Sequence, residues 1–363
     1  MAAVSAVVHP VITVRRHPLV LASPLRHASA DLAVLDEVFV RVQLDRDTVG
    51  WAEVRGNGGY ATGETAEVIL AALGDLPQPS DPVWRRPRHL LDSLRRRSRL
   101  AAMALDVALR DAHARQAGQP LHVHLGAPAI DRIPTHAQVG FGTAEDAYRL
   151  AADAVAAGFT RLKVRVGSHA DPDRLAAVRD AAGPNLAIIA DANGAWTVPQ
   201  ASAAMTWLAQ AGVAWIEQPV PPGDDDGLAE VRRRARVPVY ADESARDADS
   251  VRRLADRGCV DGVHLKLEKC GTVDRLAEAV ETARARSLQV ALGQMDQGRL
   301  GCAATAQLAP ALGVADAELW GCASVVADVA GPLCLERGAV LLPSAPGLGV
   351  EVHLPGEEDH DHD

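Results

Sequence analysis

Three acidic residues recur at a regular interval, since Asp191, Glu217 and Asp242 stand about 25 residues apart. Each follows a short apolar stretch, as an acid does at the carboxyl end of a β-strand. One acid after a strand is commonly the N-cap of the next helix, but three at matching positions argue for a shared centre. Carboxylates that converge repel one another unless a cation binds them, and an all-oxygen ligand set favours Mg²⁺ or Mn²⁺. These residues are therefore predicted to ligate a divalent metal ion.

Basic residues occur in strand-like segments near these acids. Lys163 and Arg165 are two positions apart, so a strand would put both side chains on one face, and Lys266 lies in a later segment. A lysine within an apolar strand is costly unless it is paired or functional. A metal ion and a second cation nearby would lower its pKa and make it a base near neutral pH. The alternatives are a lysine–aspartate pair that braces the fold and, for Arg165, a clamp, because arginine keeps its proton.

Alternating strand-like and helix-like segments would position these side chains. They run from about residue 133 to about residue 342, with eight strands at a repeat of about 25 residues, which predicts a (β/α)8 barrel. A Rossmann-type sheet is the rival architecture, but no GxGxxG sequence opens a helix. The predicted strands are 133–139, 161–166, 186–190, 213–216, 237–241, 262–267, 289–292 and 317–320. The predicted helices are 144–157, 173–182, 199–211, 228–235, 249–257, 273–286 and 300–312.

The first 125 residues lack the regular alternation of strands and helices, and their pattern predicts a small α+β unit. Strand-like runs at 7–14, 39–44 and 49–54 precede helical periodicity at 65–73 and 100–116. Residues 22–29 lack periodicity and are predicted to form a loop, and residues 55–60 are predicted to form a glycine-rich one. If these loops cover the barrel mouth, Arg26 and Tyr60 are candidates for substrate contact.

Composition and charge exclude several classes of protein. The chain has 363 residues and a formal net charge of −10, which argues against a nucleic-acid partner. It has no run of 18 apolar residues and no signal-peptide pattern, so no membrane association is predicted. Its five cysteines include no CxxC pair and predict reduced thiols in a cytoplasmic protein. The polar tail, rich in His and Asp, is predicted to be disordered.

Taken together, the motifs resemble those of the enolase superfamily and, within it, the muconate-lactonizing-enzyme (mandelate racemase/muconate cycloisomerase) group. The acids stand in the sequences DANGAW, WIEQP and ADES, in the order that the family has. The resemblance implies an α/β fold in which residues 126–343 form a modified (β/α)8 (TIM) barrel. Residues 1–125 would form an N-terminal α+β capping domain, to which residues 344–363 return.

The resemblance also implies roles for single residues. The family's Mg²⁺ (or Mn²⁺) ligands fall on the three acids named above, and its catalytic positions fall on Lys163, Arg165 and Lys266. Arg165 is a departure, because the group usually has a lysine there as its acid/base. An arginine would instead hold a substrate carboxylate or enolate and leave Lys266 as the main base.

Further departures concern the substrate. Asp296 and Gln297 occur where the group often has Glu-Ser after strand seven, and they are candidates for substrate contact, as is Asn193 after strand three. Dipeptide epimerases of the group carry Asp-x-Asp at strand eight. The corresponding stretch, Trp320-Gly-Cys-Ala-Ser, has no acid, which disfavours a dipeptide substrate.

The resulting prediction is an isomerase that removes the α-proton of a small carboxylate with metal assistance, giving racemisation, epimerisation or cycloisomerisation. Lys163 and Lys266 on opposite sides of the mouth would suit transfer by two bases, whereas Arg165 would favour one base. The alternatives are a lyase (a dehydratase or an o-succinylbenzoate-synthase-like enzyme) and a barrel that binds ligands without catalysis. A homo-oligomer is expected.

Overall fold

The computed structural model describes residues 10–27 and 30–356, without the side chains of Arg26, His27, Ala30, Tyr60 and Arg85. The tail that is predicted to be disordered comprises residues 354–363. Its first residue, Leu354, is buried in the structure, and residues 357–363 lie outside the described part of the chain. Within the described part, no helix combines the length and the apolar character needed to cross a membrane. The five cysteines are free thiols, and four of them are buried.

The N-terminal region is built on an antiparallel sheet. Its long strands are β1 (Val11–His27), β2 (Ala30–Gln43) and β3 (Val49–Arg55), and residues Val325–Val326 add a fourth strand beside β1. The prediction of a loop over residues 22–29 is wrong for its described part, because β1 continues to His27. A bulge between Val20 and Leu25 shifts the register, after which Leu25 pairs with Leu32. Cross-strand hydrogen bonding thus makes a strand where the side-chain pattern shows no alternation.

Short and long helices follow this sheet. The long helix α4 (Arg99–Gln116) packs on β3 where Gly50 leaves room for the backbone at Ala108 and Ala112. Asp111 on α4 accepts a hydrogen bond from the Trp51 backbone N–H at 2.8 Å, which ties helix to sheet. The helices are α1 (Gly59–Thr62), α2 (Ala66–Gly74), α3 (Pro87–Arg97), α4 (Arg99–Gln116) and α5 (Leu121–His124), with a 3₁₀ turn at Pro82–Arg85.

The predicted alternation of parallel strands and helices is confirmed. Seven adjacent parallel strands curl into the barrel wall, and capping boxes such as that of Thr143 with Asp146 begin the helices that follow them. The strands are β5 (Ala137–Val139), β6 (Arg161–Arg165), β7 (Ala187–Asp191), β8 (Val213–Glu217), β9 (Val239–Ala241), β10 (Gly262–Lys266) and β11 (Gln289–Gly293). The helices are α6 (Ala144–Ala156), α7 (Asp171–Ala182), α8 (Val198–Gln210), α9 (Asp225–Arg234), α10 (Ala248–Asp256), α11 (Leu267–Cys270), α12 (Val273–Ala285) and α13 (Arg299–Ala311).

The first and last predicted barrel strands need correction. Residues 133–139 divide into β4 (Arg132–Pro134), which lies outside the barrel and pairs with residues Ala339–Leu341, and β5, which pairs with β6 in the barrel. The predicted strand 317–320 is a single parallel bridge between Leu292 and Ala317. Its other edge is held by the Thr135 hydroxyl, which accepts from the Leu319 N–H at 2.8 Å. A side chain takes the place of a second ladder, so the segment closes the barrel without forming a full strand.

The C-terminal segment contacts the N-terminal region again. The Leu348 N–H donates to Asp111 Oδ1 at 2.6 Å, and Arg115 donates to the Val350 carbonyl at 2.8 Å. Asp111 and Arg115 both belong to α4, so the C-terminal segment is held against this helix. The remaining strands are β12 (Val325–Val326), β13 (Ala330–Gly331), β14 (Cys334–Glu336), β15 (Ala339–Leu341) and β16 (Glu351–Val352), with β4 paired to β15.

Candidate active site

The three predicted metal ligands lie at the same end of adjacent strands. Asp191 is the last residue of β7, Glu217 is the last of β8, and Asp242 follows β9 directly. Asp191 pairs with Glu217 in the ladder, and Glu217 pairs with Tyr240 on the next strand. All three carboxylates are buried. The parallel register therefore brings the acids to one level at the barrel mouth, as predicted.

Lys163 lies among carboxylates from three parts of the barrel. Its Nζ is 3.0 Å from Asp191 Oδ2, 3.1 Å from Glu217 Oε1 and 2.9 Å from Glu318 Oε2, and its side chain is 2% exposed. Burial alone would lower the pKa of Lys163, but the neighbouring carboxylates raise it well above the usual value. The protein's own charges thus act against the low lysine pKa expected from the sequence.

Two lysines flank Asp242 on the opposite side of the mouth. Lys266 Nζ lies 2.7 Å from Asp242 Oδ2, and Lys269 Nζ lies 2.5 Å from Oδ1. Burial would raise the pKa of Asp242, yet the two ammonium groups hold it well below its usual range. Asp242 in turn raises the pKa of Lys266 against the effect of burial. Sequence reasoning missed Lys269, which lies in the short helix α11 rather than on a strand.

Arg165 contacts the first metal-ligand candidate and faces the cavity. Its guanidinium is 2.5 Å from Asp191 Oδ2 and also donates to Asn193 Oδ1, and its side chain is 22% exposed. The amide of Asn193 donates to Glu243 Oε1 at 3.2 Å. Burial raises the pKa of Glu243 to about 7, and the nearby Asp242 adds to the effect. Arg165 and Asn193 thus form one hydrogen-bonded chain along the wall.

His264 is a site residue that sequence reasoning did not select. It lies on β10 two residues before Lys266, and its Nδ1 is 2.9 Å from Glu217 Oε1. Potential ligand atoms of Glu217, Asp242 and His264 lie within 4.8 Å of one another. The residue beside the imidazole is Gly293, where a Cβ atom would overlap the ring. The absence of a side chain at this position therefore makes room for His264. Alternation along β10 could have identified it, because His264 and Lys266 share a face.

Glu318 corrects the expectation that the eighth strand position has no acid. It lies in the closing segment, accepts a hydrogen bond from the Gln138 amide and contacts Lys163. Lys163 and His264 lower the pKa of Glu318, although burial opposes them. Glu318 lies inside the predicted strand 317–320, two residues before the stretch from Trp320 onward that was expected to correspond to the family's acidic motif.

The donors present fit a hard divalent cation. The three acids at the strand ends offer only carboxylate oxygens, which Mg²⁺ and Mn²⁺ prefer. Within the described part of the chain, Glu217 Oε2 is buried and has no hydrogen-bond partner. An unpartnered buried carboxylate oxygen is costly, and coordination of a cation would satisfy it.

A cavity of about 360 Å³ opens beside these groups. Arg165, Lys266 and Asp296 line it from the barrel, and Leu25 and Ala61 line it from the N-terminal region. The side chains of the sequence candidates Arg26 and Tyr60 lie outside the described part, although their neighbours Leu25 and Ala61 reach the cavity. Gln297 is fully buried and does not line the cavity, unlike Asp296.

A capped barrel with acids and lysines gathered around one cavity defines a barrel enzyme whose active site lies at the carboxyl ends of the strands. The enolase C-terminal domain-like family matches residues 146–356, which is more than half of the chain. The chain therefore belongs to the enolase superfamily, in its mandelate racemase/muconate-lactonizing group, as its motifs predicted. It is an isomerase of that superfamily.

Similarity to single proteins extends over most of the chain. It is 31% identical over 336 residues to a hydrophobic dipeptide epimerase of Roseobacter litoralis, covering 90% of this chain and 94% of that protein. It is 32% identical over 264 residues to muconate cycloisomerase 1 of Rhodococcus opacus, covering 71% of each. A solved dipeptide epimerase from Enterococcus faecalis V583, complexed with Mg and L-Leu-L-Tyr, has a TM-score of 0.86 and 27% identity. That alignment covers 94% of this chain and 99% of that one.

Proposed function

We propose that this enzyme removes the α-proton of a small carboxylate and returns it, or rearranges the product, as a racemase, epimerase or cycloisomerase. The observation that carries the proposal is the placement of Asp191, Glu217 and Asp242 at adjacent strand ends, with Lys163 on one side and Lys266 on the other. The activities of its relatives, epimerisation of dipeptides and cycloisomerisation of muconate, belong to the same range of reactions.

We assign metal binding to Asp191, Glu217 and Asp242, with Mg²⁺ as the expected ion and Mn²⁺ as its substitute. When bound, the ion would supply positive charge to the substrate carboxylate as negative charge develops on it. A dipeptide epimerase of similar fold is complexed with Mg, which supports this choice. Lys163 keeps two of these carboxylates oriented through its contacts with Asp191 and Glu217.

The proton transfer is assigned to Nζ of Lys266. This lysine lines the cavity and its side chain is 14% exposed, whereas Lys163 is 2% exposed and covered by carboxylates. Arg165 lies on β6, four strands away from β10, and faces the same cavity. Because arginine keeps its proton, Arg165 is assigned to hold the substrate and not to act as a base.

The proposal extends to the organisation of the chain. Residues 1–125 and 344–363 act as a cap and residues 126–343 as the catalytic barrel, so that Leu25, Ala61 and Thr62 contribute to substrate selection. Arg26, Tyr60 and Asn193 remain candidate substrate contacts. A cytoplasmic location and a homo-oligomeric state remain predictions from the sequence.

Exchange of the α-proton tests this function directly. The purified enzyme with Mg²⁺ is incubated in D₂O with a panel of N-acyl amino acids, dipeptides and hydroxy acids, and deuterium incorporation is followed by NMR. We expect exchange that chelation and Lys266→Ala both abolish. Formation of an alkene without α-exchange would indicate a lyase instead. Binding of a carboxylate without exchange or product would indicate a non-catalytic barrel.

A further inference from the structure

We propose that Arg246 holds helix α1 against the barrel, and so acts as a positioning residue that keeps the cavity in the form that binds substrate. This inference rests on the proposed function and names a residue that keeps its site in order. Arg246 lies in the loop after β9, four residues after Asp242. Its two terminal nitrogens donate to the carbonyl oxygens of Ala61 at 3.3 Å and of Thr62 at 3.2 Å, and both of these residues line the cavity.

Helix α1 has little means of holding its own position. It has four residues, fewer than an isolated helix needs to persist in water. The last four carbonyl groups of a helix have no partner within it, and in α1 these include the carbonyl groups of Ala61 and Thr62. Gly63 ends the helix in the left-handed conformation, with a φ of 79°, and its N–H donates to the Gly59 carbonyl. The guanidinium of Arg246 therefore supplies donors that the helix itself lacks.

The chain on either side of α1 is fixed to the N-terminal region. After the helix, Glu64 accepts hydrogen bonds from the Ser98 hydroxyl and, at 2.8 Å, from the Arg99 N–H at the start of α4. Before the helix, the side-chain oxygen of Asn57 accepts from the Asp36 N–H at 3.1 Å. Between these two points the segment lies over the cavity, and there the guanidinium connects it to the barrel.

The loop that carries Arg246 is fixed by several hydrogen bonds. The buried side-chain oxygen of Gln218 accepts from the backbone N–H groups of Asp242 and Ser244, both at 3.1 Å. The Arg246 N–H donates to the Ser250 hydroxyl at 2.8 Å, and Ser250 belongs to the capping box of α10. The barrel side of the contact is thus well supported, whereas the helix side is not. The position of α1 therefore follows from the position of the barrel loop.

The charged groups around Arg246 leave its guanidinium directed at α1. The side chain is partly buried, and burial lowers its pKa, with Arg99 adding to the effect, but arginine keeps its proton. The neighbouring acid Asp247 caps α10, where it accepts from the Ser250 N–H at 2.9 Å, and Glu64 caps α4. A charge withdrawn from water is costly unless polar groups face it, and the two carbonyl groups of α1 do so.

Loss of this contact should affect substrate binding more than the chemical step. If α1 leaves its place for part of the time, the apparent affinity for substrate falls with the fraction of molecules that keep the binding form. Lys266 and the metal-ligand acids do not contact Arg246 through a side chain in the described part of the chain, so their arrangement should persist. KM should therefore rise more than kcat falls.

Amide hydrogen exchange tests the contact in the free enzyme. The N–H groups of Ala61, Thr62 and Gly63 donate within the α1 turn, so their exchange reports on the opening of this helix. Arg246→Ala should accelerate it about tenfold, as for a lost hydrogen bond to a charged group, and Arg246→Lys, which restores one charged donor, should lie between. Arg252→Ala removes an exposed arginine of α10 and is the matched control, for which native rates are expected.

Steady-state kinetics test the consequence for binding. Rates of α-proton exchange in D₂O are measured against the concentration of L-Ala-L-Leu, a dipeptide of the panel described above, with Mg²⁺ at saturation. In Arg246→Ala we expect KM to rise about tenfold with kcat little changed, because the substrate must first return α1 to its place. Arg246→Lys should recover part of the affinity, and Arg252→Ala should behave as the native enzyme does.

The possible outcomes separate this inference from the proposed function. Unchanged amide exchange of α1 in Arg246→Ala would overturn the inference. Equal acceleration in the core strand β3 would also overturn it, because it would show a general loosening of the fold. A fall in kcat at constant KM would contradict a role in binding. If L-Ala-L-Leu does not exchange, the proposed function loses support, but amide exchange needs no substrate and still decides whether Arg246 holds α1.

Discussion

Nζ of Lys163 lies 2.9 Å from Oε2 of Glu318, and this contact joins β6 to the segment that closes the barrel. The same ammonium group contacts Asp191 and Glu217. One buried cation therefore holds together carboxylates from both sides of the barrel seam. The positive charge of Lys163 offsets the repulsion between these carboxylates, which would otherwise push apart the strands that carry them.

Lys163→Met should unfold much more easily than the native enzyme. Removing one member of a buried ionic network leaves the others uncompensated, at a cost of about 3–5 kcal/mol in the free energy of unfolding. Urea unfolding of both proteins measures the difference. Native-like stability of Lys163→Met would show that the carboxylates around Lys163 do not depend on its charge.

Lys266→Ala should retain the fold and lose the chemistry. Loss of a positioned acid/base lowers the rate of α-proton exchange by about 10²–10⁴-fold, whereas Asp242 keeps a second partner in Lys269. Exchange rates in D₂O measure the loss of activity in Lys266→Ala relative to the native enzyme. Thermal unfolding verifies that Lys266→Ala is folded and compares its stability with that of Lys163→Met. If exchange persists at the native rate, the base is another group.

Arg165→Lys should change the stereochemical balance of exchange. The native enzyme is expected to exchange one enantiomer faster, because Lys266 can release a proton and Arg165 cannot. A lysine at position 165 reaches the same side of the cavity and can lose its proton, so exchange of the slower enantiomer should rise. Initial rates for the two enantiomers measure the ratio, and an unchanged ratio would contradict the assignment of Arg165 as a holding group.

Gly293→Ala should weaken metal binding although it leaves every carboxylate side chain of the site unchanged. The added methyl group would overlap the imidazole of His264, which contacts Glu217. Loss of such a supporting contact typically lowers metal affinity about 10–100-fold. Calorimetric titration with Mg²⁺ measures it. Gly74→Ala is the control, because a methyl group there meets open space, and equal affinities in the two variants would exclude a role for His264.

Stability should decrease as the pH rises from about 4.5 to about 8, partly through Glu53. Burial raises the pKa of Glu53 to about 8 in the folded protein, against the opposing effect of the backbone N–H groups of Gly298 and Gly301. The folded state thus binds this proton more tightly than the unfolded state, and its advantage is lost as the pH rises.

The slope from one such group reaches at most about 1.4 kcal/mol per pH unit. Glu53→Gln does not titrate, so its free energy of unfolding should fall less steeply over this range. Urea unfolding of both proteins at several pH values measures the slopes. Parallel curves would show that Glu53 titrates alike in the folded and unfolded states.

Much of the barrel could be predicted because its signals are local. The apolar strand before Asp191 and the acid at its end both appear in a few residues of sequence, and the parallel register then fixes where the acid lies. The helices between strands were placed within a few residues of their observed ends for the same reason, since capping residues such as Thr143 and Asp247 mark where they begin.

The elements that were missed depend on contacts remote in sequence. The closing segment was predicted as a full strand over residues 317–320, but its pairing is limited to one bridge with Leu292 and a hydrogen bond to the Thr135 hydroxyl. Glu318 lies inside that predicted strand but was not selected, because its place in the site depends on its contact with Lys163, 155 residues earlier in the chain. The extent of β1 beyond Val20 similarly depends on pairing with β2 across a bulge.

The bond between Leu348 and Asp111 has a consequence for biosynthesis. The carboxylate of Asp111 is fully buried on α4, yet one of its donors is synthesised 237 residues later. On the ribosome, Asp111 can form its hydrogen bonds with Trp51 and Arg115 early, but it gains the donor from Leu348 only after the barrel residues have been synthesised. A product that ends before Leu348 would leave this buried carboxylate with one donor fewer than it has in the full chain.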